Sequence, residues 1–307
     1  MEHKRFHYKS MDELKQELTR IGVRLPLSDS LEALKREVKL GARTMHNSIA
    51  IQPMEGCDGT ADGRPAELTL RRYDRFARSG AGLIWAEAVA ITPEGRANPR
   101  QLWLTRDNLD DYKRFVYDMK QTCLKENGFE PIVIMQATHS GRYSKPEGVP
   151  APLIAYNNPI FEGDRPIAAD RILSDEYLYG LIDKFGVSAS LAEQAGFDGV
   201  DIKCCHRYLN SELLSAYDRE GDFGGSLENR TRLLRGGVAA AQAATGSDFI
   251  VTSRLNVYDG FPHPYGWGVR EDEGTEIDLT EPLELVRILH REMGMKLLDV
   301  TIGNPYF

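Results

Sequence analysis

Six short apolar runs, rich in β-branched residues and nearly continuous rather than alternating, punctuate the chain at residues 48–54, 83–91, 132–137, 200–204, 249–255 and 297–302. A strand reads this way when both of its faces are buried, as in a parallel sheet covered by helices. Helical periodicity fills the intervals. Leu109, Tyr112, Val116, Met119 and Cys123 recur on one helix face, and Leu178, Leu181, Ile182, Phe185, Ala189, Ala192 and Ala195 form a second face behind a Ser174 N-cap. Ser226 is placed to cap a helix running to Ala244, and Thr280 one running to Met293. This alternation of strand and helix predicts an α/β fold with parallel strands.

A doubly wound sheet and a (β/α)8 barrel both fit that alternation, and two features favour the barrel. No strand is followed by a GxGxxG turn; the nearest glycine pair, Gly224-Gly225, precedes a helix with no strand immediately upstream. Polar residues gather at the C-terminal ends of several strands, the rim on which barrel active sites are built. The reading is a TIM-type (β/α)8 barrel with about six β/α units visible, since two of the eight strands are missing from the pattern. Residues 1–45 read as a helical extension: Ser10-Met11-Asp12-Glu13 fits a capping box, and Gly22 and Gly41 stand where helix stops belong. Residues 46–307 form the barrel domain, expected to be incomplete at its C-terminal side because only Asn304 to Phe307 follow the sixth run. The expectation is a truncated barrel, or one completed by a partner chain or by a second copy in a homo-oligomer, because open strand edges need covering.

Charge and composition exclude other classes. Lys and Arg number 38 against 46 Asp and Glu, a net charge of −8 with a pI near 5.5. That balance argues against a nucleic-acid binder, which needs a clustered basic face. The most basic stretches, Arg71-Arg72 and Arg230 to Arg235, are interleaved with apolar residues and read as solvated helix faces. No run approaches the roughly 18 apolar residues of a membrane span, and the N-terminus lacks the apolar core of a signal peptide. Cys57, Cys123, Cys204 and Cys205 match neither a zinc spacing nor a disulfide framework, so they read as reduced thiols of a cytoplasmic protein. No metal is expected, since the adjacent Cys204, Cys205 and His206 lack chelate spacing.

The fourth run ends in Lys203-Cys204-Cys205-His206-Arg207-Tyr208. Alternation points Lys203 and Cys205 to one side and Cys204 to the other, with His206 and Tyr208 just past the strand. A lysine, an imidazole and a phenol at a strand end can polarise a carbonyl and supply a proton. From spacing alone the plainer alternative is slightly favoured: Lys203 pairs with Asp201 or another carboxylate, and His206 and Tyr208 pack the rim.

The segment Gly196-Phe197-Asp198-Gly199-Val200-Asp201-Ile202, followed by His206, Tyr208-Leu209 and Gly224-Gly225-Ser226-Leu227-Glu228-Asn229-Arg230, resembles the old yellow enzyme family of FMN-dependent NAD(P)H oxidoreductases. Ile51-Gln52-Pro53-Met54 is similar to the family's first-strand motif. Gly82-Leu83-Ile84 with Glu87-Ala88 and Pro93-Glu94-Gly95-Arg96 resembles the second, Gln136 with His139-Ser140-Gly141-Arg142 the third, and Arg254-Leu255 the fifth. The resemblance runs in the family's order over residues 40–303. It implies that NADH or NADPH reduces FMN, and that hydride then passes to the β-carbon of an activated alkene in a small-molecule substrate. Tyr208 matches the proton donor, and Lys203 and His206 the pair that holds the substrate's carbonyl oxygen. Pro53, Met54, Glu55 and Ala88 match positions lining the flavin, Gln136 its pyrimidine edge, and Arg254 the region near N1.

These residue types suit those roles. A fixed guanidinium stabilises the negative charge of a reduced flavin, and an amide both donates and accepts at a ring edge displaying both kinds of group. The plainer alternatives are a rim charge on an acidic neighbour for Arg254 and a satisfied buried amide for Gln136.

Three positions depart from the family pattern. Lys203 stands where histidine is usual, Glu55 where a small or weakly polar residue is usual, and Arg207 where glycine precedes the tyrosine. A carboxylate at Glu55 would repel a reduced flavin unless protonated or paired, with Lys203 as one partner. Trp267 and His263 fall in a Gly/Pro-rich stretch from Tyr258 to Gly274, read as a mobile loop over the site or an ordinary surface connection. Alternatives to alkene reduction are amine oxidation on the same scaffold, a Schiff-base lyase using Lys203, and a catalytically inactive truncated barrel that binds a small molecule or partner. Without strands seven and eight an isolated monomer is expected to hold FMN weakly.

Overall fold

In the computed structural model, residues 5–272 and 274–306 are described. Helix α1 (Met11–Arg20), capped by Ser10, and the single-turn α2 (Glu32–Lys35) lead into an antiparallel hairpin, β1 (Val38–Leu40) and β2 (Arg43–Met45). Six parallel strands follow and pair in chain order: β3 (Ala50–Ile51), β4 (Leu83–Ala90), β5 (Ile132–Thr138), β6 (Gly199–Ile202), β7 (Ile250–Tyr258) and β8 (Leu298–Ile302). Helix α3 (Glu67–Arg78) links β3 to β4 and α4 (Leu109–Asn127) links β4 to β5. The short α5 (Pro159–Glu162) and long α6 (Asp175–Gln194) link β5 to β6. Helices α7 (Leu209–Leu213), α8 (Leu227–Arg230) and α9 (Arg232–Ala244) precede β7, and α10 (Thr280–Arg287) precedes β8. Neighbour-to-neighbour parallel winding of this kind is barrel topology, here an open half-barrel with β3 and β8 at its two edges.

Strand alternation separates two apolar layers. Ile84, Ala86, Val133, Met135, Val200, Ile202, Val251 and Leu255 belong to the large core shared with the helices. Leu83, Trp85, Ile132 and Ile134 point the opposite way and form a second cluster with Leu40 and Met45 of the hairpin. The hairpin therefore plugs the N-terminal end of the half-barrel, and Arg43 fastens it through an ion pair to Asp198 at 2.7 Å.

This hairpin corrects the helical reading of the second half of residues 1–45. Gly41, at φ +63°, makes its tight turn rather than ending a helix. The predicted helix from Ser226 to Ala244 is broken at Thr231, whose hydroxyl donates back to the Leu227 carbonyl at 2.7 Å. The helix begun at Thr280 loosens into a π-turn over residues 288–292. The basic stretches are not simply solvated faces. Arg72 bridges Asp58 and Glu87, and Arg230, buried, donates to the Leu214 carbonyl at 2.5 Å and pairs with Glu281. Both fall where a helix face meets carbonyls and carboxylates from neighbouring loops, which helical spacing does not reveal.

Candidate active site

The inward-facing row continues upward from the hairpin plug through Trp85 to a polar layer. Asp201, fully buried on β6, accepts from Gln136 Nε2 at 2.6 Å and Trp85 Nε1 at 2.9 Å through Oδ2, and from the Arg254 backbone N–H at 2.7 Å through Oδ1. Burial pushes its carboxyl up to about 6 despite those donors. Beside it on β7, the Arg254 side chain pairs with Asp299 of β8 at 3.0 Å and donates to the Pro53 carbonyl at 3.2 Å. Its Nε is buried and points off the hydrogen-bond direction to Asp299. The two alternatives drawn from sequence, a satisfied amide for Gln136 and a rim charge on an acidic neighbour for Arg254, thus describe their own contacts in this structure.

One layer higher lies the rim. Cys205, His206, Arg207 and Tyr208 make a tight turn closed by the Tyr208 N–H on the Cys205 carbonyl at 3.2 Å. His206 and Arg207 both adopt positive φ, +62° and +58°, a strained pair for non-glycine residues. Buried contacts hold it: Arg207 binds Ser215 and the Tyr265 carbonyl and pairs with Asp259 at 3.3 Å. Asp259 in turn accepts from the Trp267 N–H at 2.9 Å, and the Trp267 indole donates to the Asn256 carbonyl. Trp267 is therefore an anchor of the Tyr258–Gly274 segment, not part of an open loop, while His263 packs beside Tyr217.

That turn seats Tyr208, 1% exposed, under the Lys203 ammonium, which sits 3.7 Å from the centre of its ring. The Lys203–Asp201 pairing considered from sequence is not what engages Asp201. The Tyr208 hydroxyl donates to Glu55 Oε2 at 3.1 Å and lies 3.2 Å from the Tyr306 hydroxyl. Glu55 is paired as its position demands, but with Tyr208 and Gln101 rather than Lys203: Gln101 Nε2 donates to Glu55 Oε1 at 2.7 Å and to the Ala88 carbonyl at 3.2 Å. Tyr143 completes an aromatic wall, 4.5 Å from Tyr306 and 5.7 Å from Tyr208 between ring centres.

Burial, then the Glu55 carboxylate, hold the Tyr208 phenol far above its ordinary range, so it is a protonated donor. His206, partly exposed, is pushed down to about 3 by burial and by Lys203 and Arg254, so its ring is neutral at pH 7. Burial raises the Cys205 thiol to about 12, which leaves it unreactive.

The structure thus brings Glu55, Ala88, Lys203 and Tyr208 into one cluster, and Pro53, Gln136 and Arg254 into the layer beneath it. Met54 stands apart, 68% exposed at the edge of the sheet. Sequence reading missed Gln101, Tyr143, Tyr306 and Asp299. Asp299 alone carried a signal, an acid at an inward position of an apolar strand, the same pattern as Asp201; the others lie in irregular segments. Among the described residues no group of three or more His, Cys, Asp or Glu is placed to hold a metal ion, and no helix is long and apolar enough to cross a membrane.

Residues 36–267 match the model of the NADH:flavin oxidoreductase / NADH oxidase family. The chain is 30% identical over 270 residues to an NADPH dehydrogenase of Bacillus subtilis, covering 85% of this chain and 70% of that protein. It is 32% identical over 197 residues to an NADPH dehydrogenase of Halalkalibacterium halodurans, covering 62% of this chain but only 54% of that one. Among solved structures, an old yellow enzyme homologue from Zymomonas mobilis superposes with TM-score 0.69 at 24% identity, over 88% of this chain and 74% of that chain. A 2-naphthoyl-CoA reductase superposes with TM-score 0.75 at 20% identity, over 89% of this chain and 41% of that chain. With three-quarters of its length inside the family model and its polar side chains lining the C-terminal rim of parallel strands, this chain belongs to the NADH:flavin oxidoreductase / NADH oxidase family of old yellow enzyme type.

Proposed function

We propose that the chain reduces an electron-poor C=C bond conjugated to a carbonyl, with NADH or NADPH as reductant, FMN as cofactor and Tyr208 as proton donor. The observation that carries this reading is the buried, protonated Tyr208 phenol at the strand-end rim, with the Lys203 ammonium on its ring face.

The residues present suit a flavin ring. The Arg254 Nε, ion-paired with Asp299 at 3.0 Å, is a buried donor that makes no aligned hydrogen bond, Pro53 and Ala88 are small buried apolar residues, and Met54 is an exposed apolar side chain at the edge of the sheet. Pro53, Met54, Glu55, Ala88, Gln136 and Arg254 are the residues that would hold the ring. Bound there, FMN supplies the hydride. The side chains do the rest. Lys203 and neutral His206 bind the substrate's carbonyl or anionic oxygen, so that negative charge developing on it meets one full positive charge and one neutral N–H donor. Tyr208 gives its proton to the α-carbon.

Anaerobic stopped-flow with the FMN-loaded chain tests this. In Tyr208→Phe, reoxidation of the flavin by an enone should slow by about 10²-fold or more, the scale of a lost general acid. Bleaching of the flavin by NADPH should persist. Unchanged reoxidation would remove Tyr208 from the role.

A further inference from the structure

We propose that Glu55 is the group that returns a proton to Tyr208 after each turnover, relaying it from solvent. This rests on Tyr208 being the donor, and it concerns a position where the sequence departs from the family pattern.

The argument begins with access. Tyr208 is buried apart from the face a substrate would meet, so the proton its phenol gives up returns through the polar groups that touch its oxygen. Two hydroxyl contacts lead away from it: Glu55 Oε2 at 3.1 Å and the Tyr306 hydroxyl at 3.2 Å. Glu55 is itself partly exposed, so this carboxyl joins a buried oxygen to the surface. Its other oxygen is fixed by Gln101, which is buried and whose own Oε1 accepts from the Ala97 N–H at 2.6 Å. The carboxyl is held rigidly with one oxygen aimed at the phenol.

The electrostatics run in the same direction. When the proton leaves Tyr208, a phenolate sits beside the Glu55 carboxylate. Two adjacent negative charges make proton uptake favourable, and the Lys203 ammonium on the ring face holds the phenolate meanwhile. Glu55 takes a proton from water, passes it across the 3.1 Å contact, and returns to carboxylate while Tyr208 becomes a neutral phenol. Each cycle consumes one solvent proton and leaves both groups as they started. Tyr306 is 54% exposed and also leads to the surface, but it suits the role less well, because its phenol is held above the ordinary tyrosine range and does not release a proton near neutrality. The charged and titratable groups around the pair are Lys203 from the end of β6, Tyr143 after β5, Tyr306 after β8, Cys57 after β3, and His206 on the turn.

The FMN-loaded chain, pre-reduced and mixed with excess enone, tests the relay through Glu55→Gln, which keeps the hydrogen-bonding shape but carries no proton. The first turnover, which uses the proton already on Tyr208, should survive as a burst. Steady-state turnover should fall by about 10- to 100-fold, the range of a lost proton-transfer group. Formate or acetate should restore turnover to Glu55→Ala in proportion to its concentration. A second readout needs no flavin. In alkaline titrations followed by tyrosinate absorbance, the transition that Tyr208→Phe removes should move to lower pH in Glu55→Gln, because the carboxylate that opposes ionisation is gone. Steady-state turnover of Glu55→Gln equal to wild type overturns the relay while leaving Tyr208 as donor. A loss carried by Tyr306→Phe instead overturns it in favour of the other contact. If Tyr208→Phe itself costs nothing, both the relay and the reading beneath it fail.

Discussion

On the proposed function, Lys203 is the residue on which substrate choice turns. A histidine in its place could be neutral, whereas an ammonium adds a compact, strongly hydrated point charge. With His206 pushed down to about 3, Lys203 supplies the positive charge closest to the phenol at neutral pH. Lys203→Met keeps a similar stem and deletes the charge. It should weaken binding of phenolate or carboxylate ligands by about 1.5–3 kcal/mol, the worth of a charged hydrogen bond, and of neutral enones by clearly less. Ligand-induced changes in the flavin spectrum measure both. Equal losses for the two ligand classes would make Lys203 a packing residue.

At the scale of elements, the turns after the strands carry the site, and the one after β5 carries a pH switch in stability. His139, buried there, accepts the Gly141 N–H on Nδ1 at 3.1 Å. Its proton therefore sits on Nε2, 3.1 Å from the Tyr177 hydroxyl, which donates to Glu94 at 2.6 Å. Burial pushes His139 down to about 4. Between pH 6.5 and 4 the unfolded chain binds this proton and the folded chain does not, so stability rises with pH across that window and is lost on acidification. A shift of that size corresponds to about 3 kcal/mol. Glu94, held below its usual range chiefly by the Tyr177 hydroxyl against its own burial, adds a loss of the same sign at still lower pH. Urea unfolding at pH 7, 5.5 and 4 should show this decline, and His139→Asn should flatten its upper part. A parallel decline in the variant would place the titration elsewhere.

For the whole molecule, the half-barrel's open edges set solution behaviour. On β8, Val300 and Ile302 are 56% and 73% exposed, and Ile49 beside β3 is exposed as well. Parallel strands with an apolar outer face are normally covered by helices, and an uncovered edge recruits another chain. Light scattering behind size exclusion should show concentration-dependent association of this chain, and Val300→Lys with Ile302→Lys should shift it toward monomer. A monomer at every concentration would show that these edges are protected.

What the sequence determined by itself follows from periodicity, a local property. Buried parallel strands leave continuous apolar runs, so all six strand positions were legible, and the family motifs drew attention to Lys203, His206 and Tyr208, which the fold sets at the rim, and to Gln136 and Arg254, which it sets one layer below. Alternation set Lys203 and Cys205 on one face and Cys204 on the other, without saying which face lies inward. The hairpin was not legible, because three-residue strands are too short for a period to register and its reason to form is the barrel floor it covers, Leu83, Trp85, Ile132 and Ile134. Nor were the partners of the charged residues. Glu55 could have met Lys203, and Arg72 could have been solvated; which carboxylate meets which donor depends on loops separated by tens of residues arriving at one rim. Glu55 meets Tyr208, 153 positions away, only because β3 and β6 deliver their ends to the same side of the half-barrel. The chemistry of each strand end is written locally, but its pairing is decided by the curvature of the sheet.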